Sequence, residues 1–171
     1  PGAPARKLAA GDPVFAGERI RTGAGTVLQI EFTDSARFTL GPNAEFEVSR
    51  YSYAAGGASE DAFYSKVIKG AFRFVTGHSD KAAYKITTPL ATIGVRGTTL
   101  DILSQRGQTI VNLQDGAASV CTVSFECIQL TRPGDTAIIT SGGGGRSTIK
   151  KPNTPPWTFA ATCSTAAGLC S

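Results

Sequence analysis

A nucleophilic triad in this chain of 171 residues would have to pass through one histidine. His78 lies in Thr76-Gly77-His78-Ser79-Asp80, whose composition is that of a turn. A nucleophilic triad draws its partners from separate segments that converge in space, so a neighbouring Ser and Asp do not make a relay. His78 is read as an exposed turn residue. Two carboxylate pairs, Glu31 with Asp34 and Glu60 with Asp61, have the groups that glycosidic cleavage needs. Acids this close on a strand surface are normally solvated, and the pairs are read that way. No G-x-S-x-G elbow, Walker-type glycine loop or H-E-x-x-H is present. The expectation is a protein that is not an enzyme and uses no cofactor.

The cysteines fall into two close pairs, Cys121 with Cys127 and Cys163 with Cys170. Four cysteines allow three connectivities, and the local pairs are favoured because Cys121-Thr-Val-Ser-Phe-Glu-Cys127 can form a tight hairpin with its ends opposed. A metal site would want C-x-x-C spacing or several histidines, so no metal is expected. Disulfides place the chain in an oxidising compartment, the periplasm or the cell exterior; the alternative is four free thiols in a cytosolic protein. Arg96 stands between Gly94 and Gly97, a spacing that suggests a bulge or a close backbone approach. Its guanidinium fork either satisfies carbonyls or a carboxylate at a sharp turn of a sheet, the favoured reading, or faces an anionic ligand or partner. Tyr51, Tyr53, Phe63 and Tyr64 flank a glycine- and alanine-rich stretch, Tyr51 to Asp61, read as an exposed loop. They could form an aromatic contact surface, although such residues more often anchor strands and loops.

The elements that must position these residues are strands. In Val27-Leu28-Gln29-Ile30-Glu31-Phe32 apolar and polar residues alternate, giving one buried and one solvated face. The pattern resumes with Ala36, Phe38 and Leu40, stops at Gly41-Pro42-Asn43 and restarts with Phe46 and Val48. Tyr84 and Ile86, Leu100 and Ile102, Val111 and Leu113, and Val120 continue it, with turns expected at Arg106-Gly107 and Asp115-Gly116. Strands this closely spaced leave little room for crossover helices, so the expected class is all-β: short antiparallel and stacked strands, solenoid-like or sandwich-like. A faint echo between Gly17–Gly23 and Gly134–Thr140 favours stacked turns. The expected organisation is a β domain over 11–140, a Gly/Pro-rich linker over 141–156 and a cysteine-bearing tail over 157–171 that docks back as a small flap.

Composition bounds the partners. The net charge is +4 with 17 Lys and Arg against 13 acids, scattered and without a run. Nucleic acid is therefore not expected; a basic surface could meet anionic lipid headgroups, acidic polysaccharide or an acidic protein patch. No stretch reaches the roughly 18 apolar residues of a membrane span, and the N-terminus lacks a basic-then-apolar leader. The chain reads as mature or trimmed, with no transmembrane segment of its own.

Thr88-Pro89-Leu90-Ala91-Thr92-Ile93-Gly94-Val95-Arg96-Gly97-Thr98 resembles the central signature of FecR domains. Gly17–Gly23 resembles the opening block and Ile30–Ala44 the strand-turn-strand after it. Lys69–Phe74 is similar to the strand before the signature, and Val111–Gly116 and Arg132–Asp135 to the closing blocks, so the resemblance covers roughly 11 to 140. It makes Thr88, Pro89, Gly94, Gly97 and Thr98 signature residues. It implies an all-β, partly solenoid-like domain that binds proteins, as in periplasmic portions of regulators that relay an outer-membrane iron-transport signal to a sigma factor. The helical anti-sigma segment and the membrane span of the full regulator have no counterpart here, and a cysteine-bearing tail replaces the usual downstream region; stand-alone exported proteins with this domain are the better comparison. The expected function is an exported binding or sensing scaffold that recognises a protein or cell-envelope component through a strand edge or the Tyr51–Asp61 loop, with candidate contacts at Arg96, Tyr51, Tyr53 and Tyr64. The alternative is a carbohydrate-binding module for peptidoglycan or exopolysaccharide.

Overall fold

The computed structural model describes residues 7–52, 62–77, 84–142 and 146–162. Among them are β1 (Arg19–Arg21), β2 (Leu28–Glu31), β3 (Arg37–Leu40), β4 (Glu45–Ser52), β5 (Ala62–Val75), β6 (Tyr84–Thr87), β7 (Ala91–Gln105), β8 (Gln108–Thr122), β9 (Cys127–Leu130), β10 (Thr136–Ser141), β11 (Ser147–Lys150) and one helical turn, α1 (Phe159–Thr162). All eleven strands belong to one hydrogen-bonded sheet.

Three long strands, β5, β7 and β8, change partners midway and so divide the sheet into two arms. In arm one, β1, β4, the first half of β5, β6, the first half of β7, the second half of β8 and β9 lie side by side. In arm two, β2, β3, the second half of β5, the second half of β7, the first half of β8, β10 and β11 do so. The arms fold over one core. Phe38 on β3 lies 4.5 Å from Phe46 on β4, and Phe63 lies 5.4 Å from Phe74, ring centre to ring centre. All four rings are fully buried, each worth roughly 1.5–3 kcal/mol of burial.

The corners need glycine. Gly116 has φ +86°, and a Cβ there would stand 2.1 Å from the carbonyl oxygen of Gly97; Gly70 has φ +106°, and its Cβ would stand 2.7 Å from Ala44 Cα. The pairing of β7 with β8 shifts register between Arg96 and Leu100, opposite Gly116. Such bulges bend a strand and sharpen its twist without ending it.

The fold is all-β and takes the sandwich-like form. Its pairings are antiparallel except for β5 with β6, and the two segments of the sequence echo do not pair, since β1 lies beside β4 and β10 between β8 and β11. Two local expectations need correction. Asp115-Gly116 is a corner inside β8 rather than a reversal, because pairing with β7 resumes beyond it at Ala117; Arg106-Gly107 does reverse the chain between β7 and β8. Part of the 141–156 stretch is strand: the Gly142 N–H donates to the Arg146 carbonyl at 2.5 Å, and β11 returns along β10 from Ser147. Beyond it, Trp157 and the fully buried Phe159 pack on Val27, Ala71 and Leu103.

Candidate functional site

The signature residues build a corner and a turn. The Thr88 N–H donates to the Ala91 carbonyl at 2.9 Å, and the Thr88 hydroxyl accepts the Leu90 N–H at 3.2 Å, which closes the β6–β7 turn with Pro89 exposed at its tip. The Thr88 hydroxyl also lies 3.0 Å from that of Thr109, a tie between the arms. Thr98 is buried; its hydroxyl accepts the Arg96 N–H at 3.0 Å and points its proton at the carbonyls of Ala117 and Arg96, both 2.6 Å away. These bonds take up backbone groups that the bulge at Gly97 removes from the ladder.

That corner turns Arg96 outward. Arg96 is exposed, and among the described residues its guanidinium has no hydrogen-bond or ion-pair partner. The favoured structural role, a fork satisfying carbonyls or a carboxylate, is therefore not the one observed: the Thr98 hydroxyl already serves the backbone there. Arg96 shares the outer face of arm one with Tyr64. Across six strands the register runs Arg50, Tyr64, Lys85, Gly94, Ser119, Gln129, and Arg96 stands two residues beyond Gly94, opposite Ala117. Tyr64 is 38 % exposed, with the Arg50 guanidinium 5.8 Å from its ring centre. A Cβ on Gly94 would touch nothing within 4 Å, so the surface there is open. The Gln129 side-chain amide donates to the Ser119 hydroxyl at 2.9 Å. Acids on this face gather toward β1, where Glu45 pairs with Arg21 at 2.8 Å and Glu47 with Lys66 at 3.6 Å and Arg19 at 3.9 Å. Of the other expected contact residues, Tyr51 is placed by its backbone, opposite Phe63, and Tyr53 lies outside the described residues, as does His78.

The outer face of arm two carries a row that the sequence reading missed. Thr39, Arg73, Asp101, Asn112 and Thr136 stand in register across five strands. Asp101 is fully buried and accepts from Arg73 Nε at 2.7 Å, from Arg73 Nη2 at 3.0 Å and from Gln114 at 3.0 Å. Donating to the Asp101 carboxylate raises the Arg73 pKa above its ordinary value. The Arg73 guanidinium lies 5.2 Å from the centre of the Phe159 ring, and the Asn112 amide donates to the Trp157 carbonyl. The C-terminal strap thus covers this row. The available signal was a charged residue at the polar position of an apolar strand, in Leu100-Asp101-Ile102 and Phe72-Arg73-Phe74; the register that makes them partners is tertiary.

Asp34 also differs from its expected solvated state. It is buried, accepts the Tyr84 hydroxyl at 2.6 Å and the Ala36 N–H at 3.0 Å, and so anchors the β2–β3 turn. Cys121 and Cys127 are joined, facing each other across the β8–β9 hairpin with Cα atoms 4.0 Å apart, as the spacing suggested. Cys163 and Cys170 lie outside the described residues. Among the described residues no group of three or more His, Cys, Asp or Glu is placed to hold a metal ion, and no helix is long and apolar enough to cross a membrane.

The class is an all-β domain in which one sheet folds over a single core, with one outer face open and the other strapped. A family model described as FecR protein matches residues 18–119, and the chain belongs to that family. Two crystal structures of a proposed anti-sigma factor from Parabacteroides distasonis have the same fold, with TM-scores of 0.61 and 0.59 at 16% and 15% identity. Each alignment covers 80% of this chain and 61% of that one, so the chain spans less than two thirds of those relatives. No curated protein matches the chain.

Proposed function

We propose that this chain is an exported, non-catalytic sensing module that recognises a protein or cell-envelope component through the open face of arm one, in cell-surface signalling. The observation that carries the reading is the grouping of Tyr64, Lys85 and Arg96 on an uncovered sheet face, the two cations without acid partners among the described residues. A buried scaffold on one side and an unspent charged face on the other is the arrangement of a binding module. Membership of the FecR family and the shared fold with a proposed anti-sigma factor support the signalling branch. The Cys121–Cys127 bond on an exposed hairpin supports an oxidising compartment, periplasmic or extracellular. The FecR-like domain is taken as 11–140, with 141–156 leading into the 157–171 tail.

The face rather than a strand edge is the proposed contact. The edge strands β1 and β2 offer only three and four residues, and the Gln129 carbonyl on edge strand β9 already accepts Lys151 Nζ at 3.0 Å. Affinity capture from an envelope extract tests the reading, with wild type and Gly94→Glu as paired baits. The new side chain enters open space, so the fold tolerates it while a carboxylate blocks the face. A component held by wild type and released by Gly94→Glu is the expected result. Identical retention by both baits overturns the reading.

A further inference from the structure

Resting on that reading, we infer that the open face of arm one is a binding surface for a linear polyanionic polysaccharide of the uronate type, laid across the strands. The layout of the cations is the first reason. A site for a small anion draws its donors to one point, whereas Arg50, Lys85 and Arg96 are spread over β4, β6 and β7. Strands lie about 4.8 Å apart and alternate residues about 6.8 Å along a strand. Arg50 and Lys85 are therefore two strands apart, and Arg96 lies one strand and one two-residue step beyond Lys85. Spaced single charges match a polymer with one carboxylate per sugar.

The surface between them is the second reason. Thr92, Gly94 and Arg96 on β7 face Cys121, Ser119 and Ala117 on β8. The small residues among these, Gly94, Ala117 and Ser119, form a low aisle beside the cations. The Ser119 hydroxyl, the Gln129 amide and Thr92 supply short polar groups along it, which suits a ligand covered in hydroxyls. Tyr64 borders the aisle through Lys85, its ring partly exposed and flanked by Arg50. An aromatic ring of this kind packs against the apolar face of a sugar while its hydroxyl stays wet. Among the described residues Tyr64 is the one exposed aromatic ring carried on the strands of this face; Phe125, 86 % exposed, stands apart at the tip of the β8–β9 hairpin. That sets it apart from the apolar centre of a protein interface and from the successive stacking platforms that single-stranded nucleic acid uses. The acids of the face, Glu45 and Glu47, are paired toward β1, and Asp115, on the neighbouring strand, lies across the bulge, opposite Thr99.

The test uses the full chain and polygalacturonate, with neutral dextran and poly(dT) as comparison polymers, read by affinity electrophoresis and calorimetry at low and physiological salt. Wild type should retain polygalacturonate, weaken with salt and ignore dextran. Lys85→Gln/Arg96→Gln removes two charge-assisted contacts and should lower affinity about tenfold or more. Gly94→Glu should lose binding by at least as much, and Tyr64→Ala should weaken it about threefold to tenfold. Arg146→Gln/Lys150→Gln, the same charge loss on the other side of the fold, should change affinity less than about twofold. The inference is overturned if wild type fails to bind polygalacturonate, if poly(dT) or dextran binds equally well, or if the distant double variant loses as much as the face variant. A protein captured from envelope extract and released by Gly94→Glu, with no polygalacturonate binding, would leave the module reading standing and remove the polysaccharide.

Discussion

The two arms share three strands and one core, yet their outer faces have opposite fates. Arm two turns Arg73, Asp101, Asn112 and Thr136 outward, buries all but the half-buried Arg73, and packs Trp157 on Asn112 and Phe159 on Arg73. Arm one turns Arg50, Tyr64, Lys85 and Arg96 outward and leaves them in solvent. Under the strap the buried charge is paired: Asp101 holds the Arg73 fork through two hydrogen bonds and takes a third from Gln114. On the open face Lys85 and Arg96 have no acid partner among the described residues, beside an open glycine. A group that has been desolvated must be paired to be tolerated, so the covered face is committed to stability, and the open one is left to meet something else.

Stability measurements can break that contrast. Arg73→Ala leaves Asp101 buried without its counter-charge, a change that typically costs about 3–5 kcal/mol. Lys85→Ala, at a comparable outward position of arm one, should cost less than about 0.5 kcal/mol. Urea denaturation midpoints at unchanged m-value separate the two. Equal costs would mean that the strapped face contributes no more to stability than the bare one.

The strap itself sets the next effect. Phe159 is fully buried, but it reaches the sheet on a helix of four residues that has no stability of its own. The Trp157 indole N–H is buried without a hydrogen-bond partner among the described residues, so the strap is held by packing more than by polar fit. Phe159→Ala should cost about 2–3 kcal/mol, below the usual range for a buried aromatic, because the loss cannot exceed the free energy of docking the strap. Hydrogen exchange should speed up at 157–162 and leave arm one unchanged. Faster exchange throughout arm one would show that the faces are not separable.

Much of this architecture was legible. The alternations at Leu28 and Ile30, Phe46 and Val48, Leu100 and Ile102, and Val111 and Leu113 all put apolar side chains toward the core, and the short cysteine spacing closed as a hairpin. The division into arms was also written in the chain, as a change of phase. Buried positions in β5 run Phe63, Ser65, Val67 and then Phe72, Phe74; in β7, Ile93, Val95 and then Leu100, Ile102; in β8, Val111, Leu113 and then Ala118, Val120. Each run moves from odd to even numbers across one glycine, Gly70, Gly97 or Gly116. A single-residue bulge swaps the faces of all that follows, so reading Asp115-Gly116 as a turn between Val111-Leu113 and Val120 concealed the corner in β8. The buried ion pair stayed hidden for a different reason. Which polar residue of β5 lies opposite which of β7 depends on register between strands 28 residues apart, and local alternation carries no register.

The smallest effect expected lies where the chain crosses from one arm to the other. Asp135, between β9 and β10, accepts the N–H groups of Thr131 at 2.9 Å and Arg132 at 3.0 Å, and Lys151 Nζ stands 3.3 Å away. These bonds, Thr131's foremost, hold its carboxyl below the ordinary range. Hydrogen bonding to the charged form lowers a carboxylate pKa because protonation would weaken what the N–H groups gain. A folded pKa below the unfolded value means that the stabilisation is complete above the unfolded pKa, near 3.9, and is lost as pH falls through the folded one. Asp135→Asn should therefore cost about 1 kcal/mol near neutrality, and its deficit against wild type should shrink below about pH 4. Lys151 also donates to the Gln129 carbonyl of β9, so the same side chain ties the turn to the edge of arm one. If the Asp135→Asn deficit persists unchanged into acid, the carboxylate's charge is irrelevant to the crossing, and the shared strands and the core hold the bare arm to the strapped one without it.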